Sequence, residues 1–162
     1  MKIMGLDMST KSTGIAILED KELYYYDCIT ASSIDLMKRI EKITNGIEEV
    51  LNKYSDIDKI IMEEVIPTTG KNVKTWKALI YLQAIVMMML YKKFPKIKIE
   101  LIYPNSWRSR IGIHTGKGET REKLKAHDIR YVETHYGIKV NDDIADAIGI
   151  AYSSFVKNSF FV

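Results

Sequence analysis

Cysteine is nearly absent from the 162-residue chain. The single Cys28 excludes an intrachain disulfide framework and fits a reducing cytoplasm. Histidine is scarce as well, with three in all. His127 and His135 fall eight residues apart on one predicted helix, too far for a shared metal, and His114 falls in a basic loop that suits a solvent or phosphate contact better than general-base chemistry. A Cys-rich zinc site is therefore excluded. The phosphate loop G-x-x-x-x-G-K-[ST] is also missing, and the short GKG at 116–118 is a weak signal by itself. Long apolar runs are lacking: the longest, 84–91, is far below the roughly 18 residues needed to span a bilayer. Met1 leads directly into a strand pattern, so no signal peptide is expected. Charge of one sign is barely in excess, 24 Lys plus Arg against 21 Asp plus Glu, and a formal +3 names no partner.

What is present is one domain's worth of sequence, 46% hydrophobic and 28% charged. A chain of this length buries roughly two thirds of its unfolded surface around one core. Residues 2–6, 12–18 and 22–29 read as three short strands, close enough in sequence to form an antiparallel meander. Ser32 and Asp35 mark a helix start, with the serine side chain free to cap the first turn. Ile34, Met37, Ile40, Ile43, Ile47, Val50 and Tyr54 then recur at spacings of three and four, the stripe of a long amphipathic helix. The isoleucine-rich run 57–62 predicts a central strand covered on both faces. After the loop PTTGKN, residues 73–91 predict a second long helix, apolar over too much of its circumference for one narrow stripe. It is either deeply buried or a subunit interface. A strand at 97–102, a short basic element opening at Pro104, a polar helix at 119–136 and a final helix after Asn141 complete the order. Strands alternating with helices in this way predict an α/β fold, a mixed sheet with helices on its faces.

The charge is unevenly spread. Residues 92–130 hold eleven Lys or Arg against four acidic residues. Such a stretch is either an ordinary solvated face or a nucleic-acid contact surface, since phosphate binding depends on clustered cations rather than total charge. Carboxylates, in turn, gather beside strand ends and one helix start. Asp7 follows the first strand, Glu63 and Glu64 end the fourth, and Asp142, Asp143 and Asp146 occupy the first turns of the last helix. First-turn electrostatics alone can account for the helix acids. Asp7 and Glu63 are harder to dismiss, because open α/β sheets place ligands where strands stop and crowded carboxylates are costly unless protonated or offset by cations. Converging carboxylates suit hard divalent ions, and two such ions about 4 Å apart can activate water and stabilise a leaving phosphodiester oxygen.

The segments GLDMSTKSTGIAI, IIMEEV and DDIADAIGIA, in this order and with the basic GKGETREKLKA, resemble the RuvC family of Holliday junction resolvases, and most closely its bacteriophage-type members. The resemblance covers essentially the full chain. It implies a single RNase H-like nuclease domain over residues 1–162, with a five-stranded mixed β-sheet flanked by helices. It also implies a Mg²⁺-dependent endonuclease, with Mn²⁺ substituting, that acts as a homodimer on four-way DNA junctions and leaves paired, ligatable nicks. Its metal ligands fall on Asp7, Glu63, Asp143 and Asp146, with Asp7 bridging two ions. Glu63 is preferred to Glu64 because neighbouring strand residues face opposite sides of a sheet and only one can join Asp7. Lys117 is the expected contact to the scissile phosphate, and Arg108, Arg110, Arg121, Lys123 and Lys125 the expected contacts to flanking phosphates. Trp107 is either a core side chain or a stacking surface for DNA.

Two departures stand out. Bacterial relatives carry Asp-Pro-Gly after the first aspartate, whereas this chain reads Asp7-Met8-Ser9. Ile66 stands where relatives tend to place an aromatic beyond the glutamate, and an aliphatic wedge lacks the π-face used for stacking. The expected helix at 73–91 is the natural dimer surface, and the cytoplasm of a bacterium, for a phage or a host protein, is the expected setting. Competing readings are an RNase H-like nuclease acting on RNA–DNA hybrids and a catalytically silent, structure-specific DNA-binding protein. An actin-like ATPase needs two such domains, and this chain has room for one.

Overall fold

The computed structural model describes residues 1–66, 72–114, 116 and 118–156. Its elements are β1 (Lys2–Asp7), β2 (Ser12–Glu19), β3 (Glu22–Thr30), α1 (Leu36–Lys53), β4 (Lys59–Glu63), α2 (Val73–Lys93), β5 (Lys98–Ile102), α3 (Pro104–Arg110), α4 (Arg121–Tyr136) and α5 (Asp142–Ser153). The basic element at Pro104 is a short helix, opened by proline where its missing N–H is no loss. The strands form one sheet in the order β3-β2-β1-β4-β5. Strands β1, β2 and β3 are an antiparallel meander, and β4 and β5 run parallel to β1. Asp20 and Lys21 turn β2 into β3 with φ of 47° and 80°, the left-handed geometry that matches the twist of a tight hairpin.

Strand alternation divides the core into two layers. Met4, Leu6, Ile60 and Met62 pack with α1 and α2. Ile3 and Ile61 pack on the other face with α5, Trp107 and Val132. Helix α1 buries Ile40, Ile43, Ile47, Val50 and Leu51. Its cap is Asp35 rather than the expected Ser32, since the Asp35 carboxylate accepts hydrogen bonds from the Met37 and Lys38 amides. Ile34 therefore precedes the helix and is fully exposed, outside the stripe expected to include it.

Helix α2 is long and apolar enough by length and composition to cross a bilayer, more so than the short run at 84–91 suggests. One side of it is a core surface: Leu82, Val86, Met89 and Leu90 pack into the layer with Met4 and Leu6. The other side leaves Val73, Tyr81, Met88 and Tyr91 exposed. The expectation of a buried helix is met on one side, and the other side is an uncovered apolar stripe. Helix α4 is capped by Thr120 and stopped by Gly137 at φ 67°.

Candidate active site

The sheet brings the strand-end carboxylates together. Leu6 pairs with Met62 across the parallel β1–β4 ladder, so the residues after them, Asp7 and Glu63, end adjacent strands side by side. Both share the parity of Ile3 and Ile61, the residues that pack toward α5. Glu64 lies past the strand, where its amide donates to the Ile102 carbonyl at 2.9 Å. Asn141 caps α5 by accepting from the Ile144 amide, which sets Asp143 and Asp146 on the first two turns. Two glycines let this helix approach the sheet. A Cβ on Gly14, the residue paired with Asp7, would overlap the Asp143 carbonyl, and one on Gly5 would overlap the Ala147 carbonyl.

Each carboxylate of the group has a different partner. The Trp107 indole N–H donates to Glu63 Oε1 at 2.6 Å. The Ser12 hydroxyl donates to Asp143 Oδ2 and lies 3.1 Å from Cys28 Sγ. Arg108 Nη2 donates to Asp146 Oδ2 at 3.3 Å, and its Nη1 stands 3.9 Å from Glu63 Oε1. Arg108 is held more closely by Asp128 of α4, through Nε at 3.0 and 3.2 Å and Nη2 at 2.7 Å. On the other flank, Lys125 forms an ion pair with Asp142.

Burial, followed by the negative charges of Glu63 and Asp143, raises the Asp7 pKa far above the ordinary carboxylate value; Arg108 and Lys125 offset only part of this. Asp146 is raised by burial and then by Asp7 and Asp128. Burial works against the Arg108 charge, but Asp128, Asp146 and Glu63 more than compensate and raise its pKa. The fold thus crowds carboxyl groups beyond what its own cations offset, and Asp7 and Asp146 hold their protons well above the ordinary carboxylate range.

Among the described residues, no three His, Cys, Asp or Glu side chains are gathered into a ligand shell for one ion. The partners just named explain why. Glu63 is turned to Trp107, Asp146 to Arg108 and Asp143 to Ser12. The donors themselves fit a hard divalent cation. They are carboxylates anchored on β1, β4 and α5, and Asp146 Oδ1 is buried without a hydrogen-bond partner.

The expected DNA contacts are placed unequally. Arg121 and Lys123 are exposed on the first turn of α4. Arg110 pairs with Glu100 at 3.4 Å, and Lys125 pairs with Asp142. Ile66 is half-buried just beyond β4. Lys117 lies outside the described residues. Arg108 departs from expectation: it is only 8% exposed and enclosed by three carboxylates, so its charge is engaged inside the protein rather than offered to a flanking phosphate. Trp107 is a core side chain, 0% exposed. Sequence reasoning missed Asp128, Ser12 and the indole bond to Glu63. Asp128 did carry a signal, since it is an acid at the buried position of the α4 stripe between Leu124 and Val132.

This architecture is an RNase H-like fold, shared with solved resolvase structures. Thermus thermophilus RuvC in complex with Holliday junction substrate superposes with a TM-score of 0.75 over 96% of this chain and 93% of that one, at 15% identity. The yeast mitochondrial Holliday junction resolvase gives 0.58 over 97% of this chain and 80% of its own, at 14% identity. In sequence, the crossover junction endodeoxyribonuclease RuvC of Carboxydothermus hydrogenoformans is 29% identical, covering 97% of both chains. That of Ehrlichia chaffeensis is 30% identical, over 99% of this chain and 100% of the relative. The family model for crossover junction endodeoxyribonuclease RuvC matches residues 3–153, and the chain belongs to this family. Both sequence relatives are bacterial, so the expected closer likeness to bacteriophage members finds no support in them.

Proposed function

We propose that this chain is a crossover junction endodeoxyribonuclease, a single RNase H-like nuclease domain that resolves four-way DNA junctions by paired hydrolysis of phosphodiesters. The observation that carries the reading is the placement of Asp7, Glu63, Asp143 and Asp146 at one end of the sheet in a member of the RuvC family. The bacterial relatives and the single cysteine support a bacterial cytoplasm as its setting.

These four carboxylates would hold Mg²⁺, with Mn²⁺ as a substitute and two ions to a site. Bound there, such ions supply Lewis-acid stabilisation of phosphoryl oxygens and a more acidic water. The chain's own residues do the rest. Trp107 and Ser12 orient Glu63 and Asp143. Arg121 and Lys123 are the exposed cations that neutralise phosphates of the junction arms, Arg110 and Lys125 are further cations for that role, and Lys117 is the cation for the scissile phosphate. Ile66, beyond Glu63, wedges at the junction without stacking. Two copies meeting through the exposed stripe of α2, with Tyr81, Met88 and Tyr91, give one site for each of two opposing strands.

The test is cleavage of a synthetic four-way junction, each strand labelled in turn, with Mg²⁺, Mn²⁺ or EDTA, beside a linear duplex and an RNA–DNA hybrid. Expected are metal-dependent nicks at matching positions on opposing strands. Asp7→Asn is expected to abolish nicking and retain junction binding, because a neutral amide is a poor ligand for a hard cation. Undiminished nicking by that variant overturns the assignment. Hybrid cleavage without junction cleavage moves it to a ribonuclease, and tight junction binding without nicking to a binding protein.

A further inference from the structure

Among the described residues, the two cations nearest the carboxylate group, Lys125 and Arg108, are already paired, and in each case with an acid outside the four expected ligands. Lys125 pairs with Asp142, and Arg108 pairs with Asp128. The second pair is the more deeply set. The Asp128 side chain is 0% exposed and that of Arg108 10%. Their contacts are also graded. Arg108 donates to Asp128 at 2.7, 3.0 and 3.2 Å, but reaches Asp146 at 3.3 Å and Glu63 only at 3.9 Å. A guanidinium has five N–H donors in a rigid fork, and a carboxylate that takes the Nε–Nη2 edge fixes the whole plane. Asp128 takes that edge. The guanidinium also lies over Trp107, whose ring centroid is 4.2 Å from its central carbon.

We propose that Asp128 is a positioning residue of this site: by holding the Arg108 fork it keeps that guanidinium from closing on Asp146 and Glu63, and so leaves both carboxylates able to take a divalent cation. The inference rests on the metal-dependent reading above. Without Asp128, a buried arginine must find another anion, because an unpaired charge in this environment is costly. Asp146 and Glu63 are the nearest candidates, at 3.3 and 3.9 Å. A fixed arginine cation on these two oxygens competes directly with the metal for the same lone pairs. Asp128 thus acts through Arg108, without itself belonging to the ligand set.

The test is Mn²⁺ binding, measured by electron paramagnetic resonance of the free ion, on the full chain without DNA. Four proteins are compared: wild type, Asp128→Asn, Arg108→Gln and the double variant. Thermal melts run in parallel. Asp128→Asn is expected to weaken Mn²⁺ binding about tenfold, whereas the same substitution in the Arg108→Gln background changes it less than twofold. If Asp128→Asn lowers the melting temperature and leaves Mn²⁺ affinity unchanged, Asp128 is merely structural and the proposal falls. Equal weakening in both backgrounds also overturns it, since Asp128 would then act through its own charge. Should Asp128→Asn fail to fold, the double variant, which buries no unpaired charge, decides: binding as tight as wild type supports the proposal, and tenfold weaker binding refutes it. Wild type that binds no Mn²⁺ overturns the metal reading and this inference with it; wild type that binds while Asp128→Asn binds equally well overturns the inference alone.

Discussion

On one face of the sheet, α1 and α2 rest on the side chains of Met4, Leu6, Ile15, Ile17, Ile60 and Met62. On the other, α5 packs with Ile3, Leu18 and Ile61 but also comes close to the backbone itself, over the missing side chains of Gly5 and Gly14. The first contact is a bulky interface whose strength grows with the apolar area it buries. The second is a close approach whose value is positional, because it sets the first turn of α5 beside Asp7. Both faces carry a buried apolar layer, but only the α5 face also carries the carboxylates, so substitutions at the close approach and in the bulky interface should fail differently.

The largest effect is expected on the close-approach face. Gly14→Val forces a branched side chain into the Asp143 carbonyl and shifts the start of α5. Displacing reacting groups by about 1 Å costs on the order of a hundredfold in rate. Junction nicking should fall by about that factor, with junction binding largely kept; wild-type nicking rates would show that the approach of α5 does not set the site. The bulky face should show the converse. Ile60→Ala removes a fully buried side chain and is expected to destabilise the fold by about 2–5 kcal/mol in a urea titration. Nicking by the folded fraction at low temperature should stay within about threefold of wild type, and a collapse of activity at unchanged stability would erase the distinction between the faces.

A smaller effect sharpens the comparison from the electrostatic side. The Asp7 pKa is pushed up to about 8 by burial, Glu63 and Asp143, whereas an unfolded chain releases this proton near pH 4. Between those values the folded state holds the extra proton, so stability falls as pH rises through the window. Melting in EDTA between pH 5 and 8 should therefore show a decline that is reduced in Asp7→Asn and relieved by Mn²⁺ in the wild type. A flat profile in EDTA would mean that the carboxylates are not crowded. Ile60→Ala should leave the slope of this profile unaltered, since its deficit carries no charge.

Much of this arrangement was legible along the chain. Stripes such as Ile40, Ile43, Ile47 and Val50 reveal helices, because burial on one side of a helix demands spacings of three and four. Asp7 and Glu63 were visible as strand ends, and strand parity favoured Glu63 over Glu64 as the companion of Asp7. Ile34 was misleading: it continues the stripe in spacing, but a cap at Asp35 starts the helix after it and leaves it exposed. Lysine and arginine codes alone could not tell Arg108 from Arg121. One is buried against Asp128 and the other stands on the exposed first turn of α4.

The amino-acid sequence by itself determined the succession of strands and helices, because this depends on local periodicity, and its motifs in order carried the family resemblance that implied the four acids. Only the tertiary structure decided which charges face one another. Trp107 meets Glu63 across 44 residues and Arg108 meets Asp146 across 38. Such pairings follow from how β4, α3 and α5 pack, and from the cost of leaving any buried polar group without a partner. No pattern within one element encodes them.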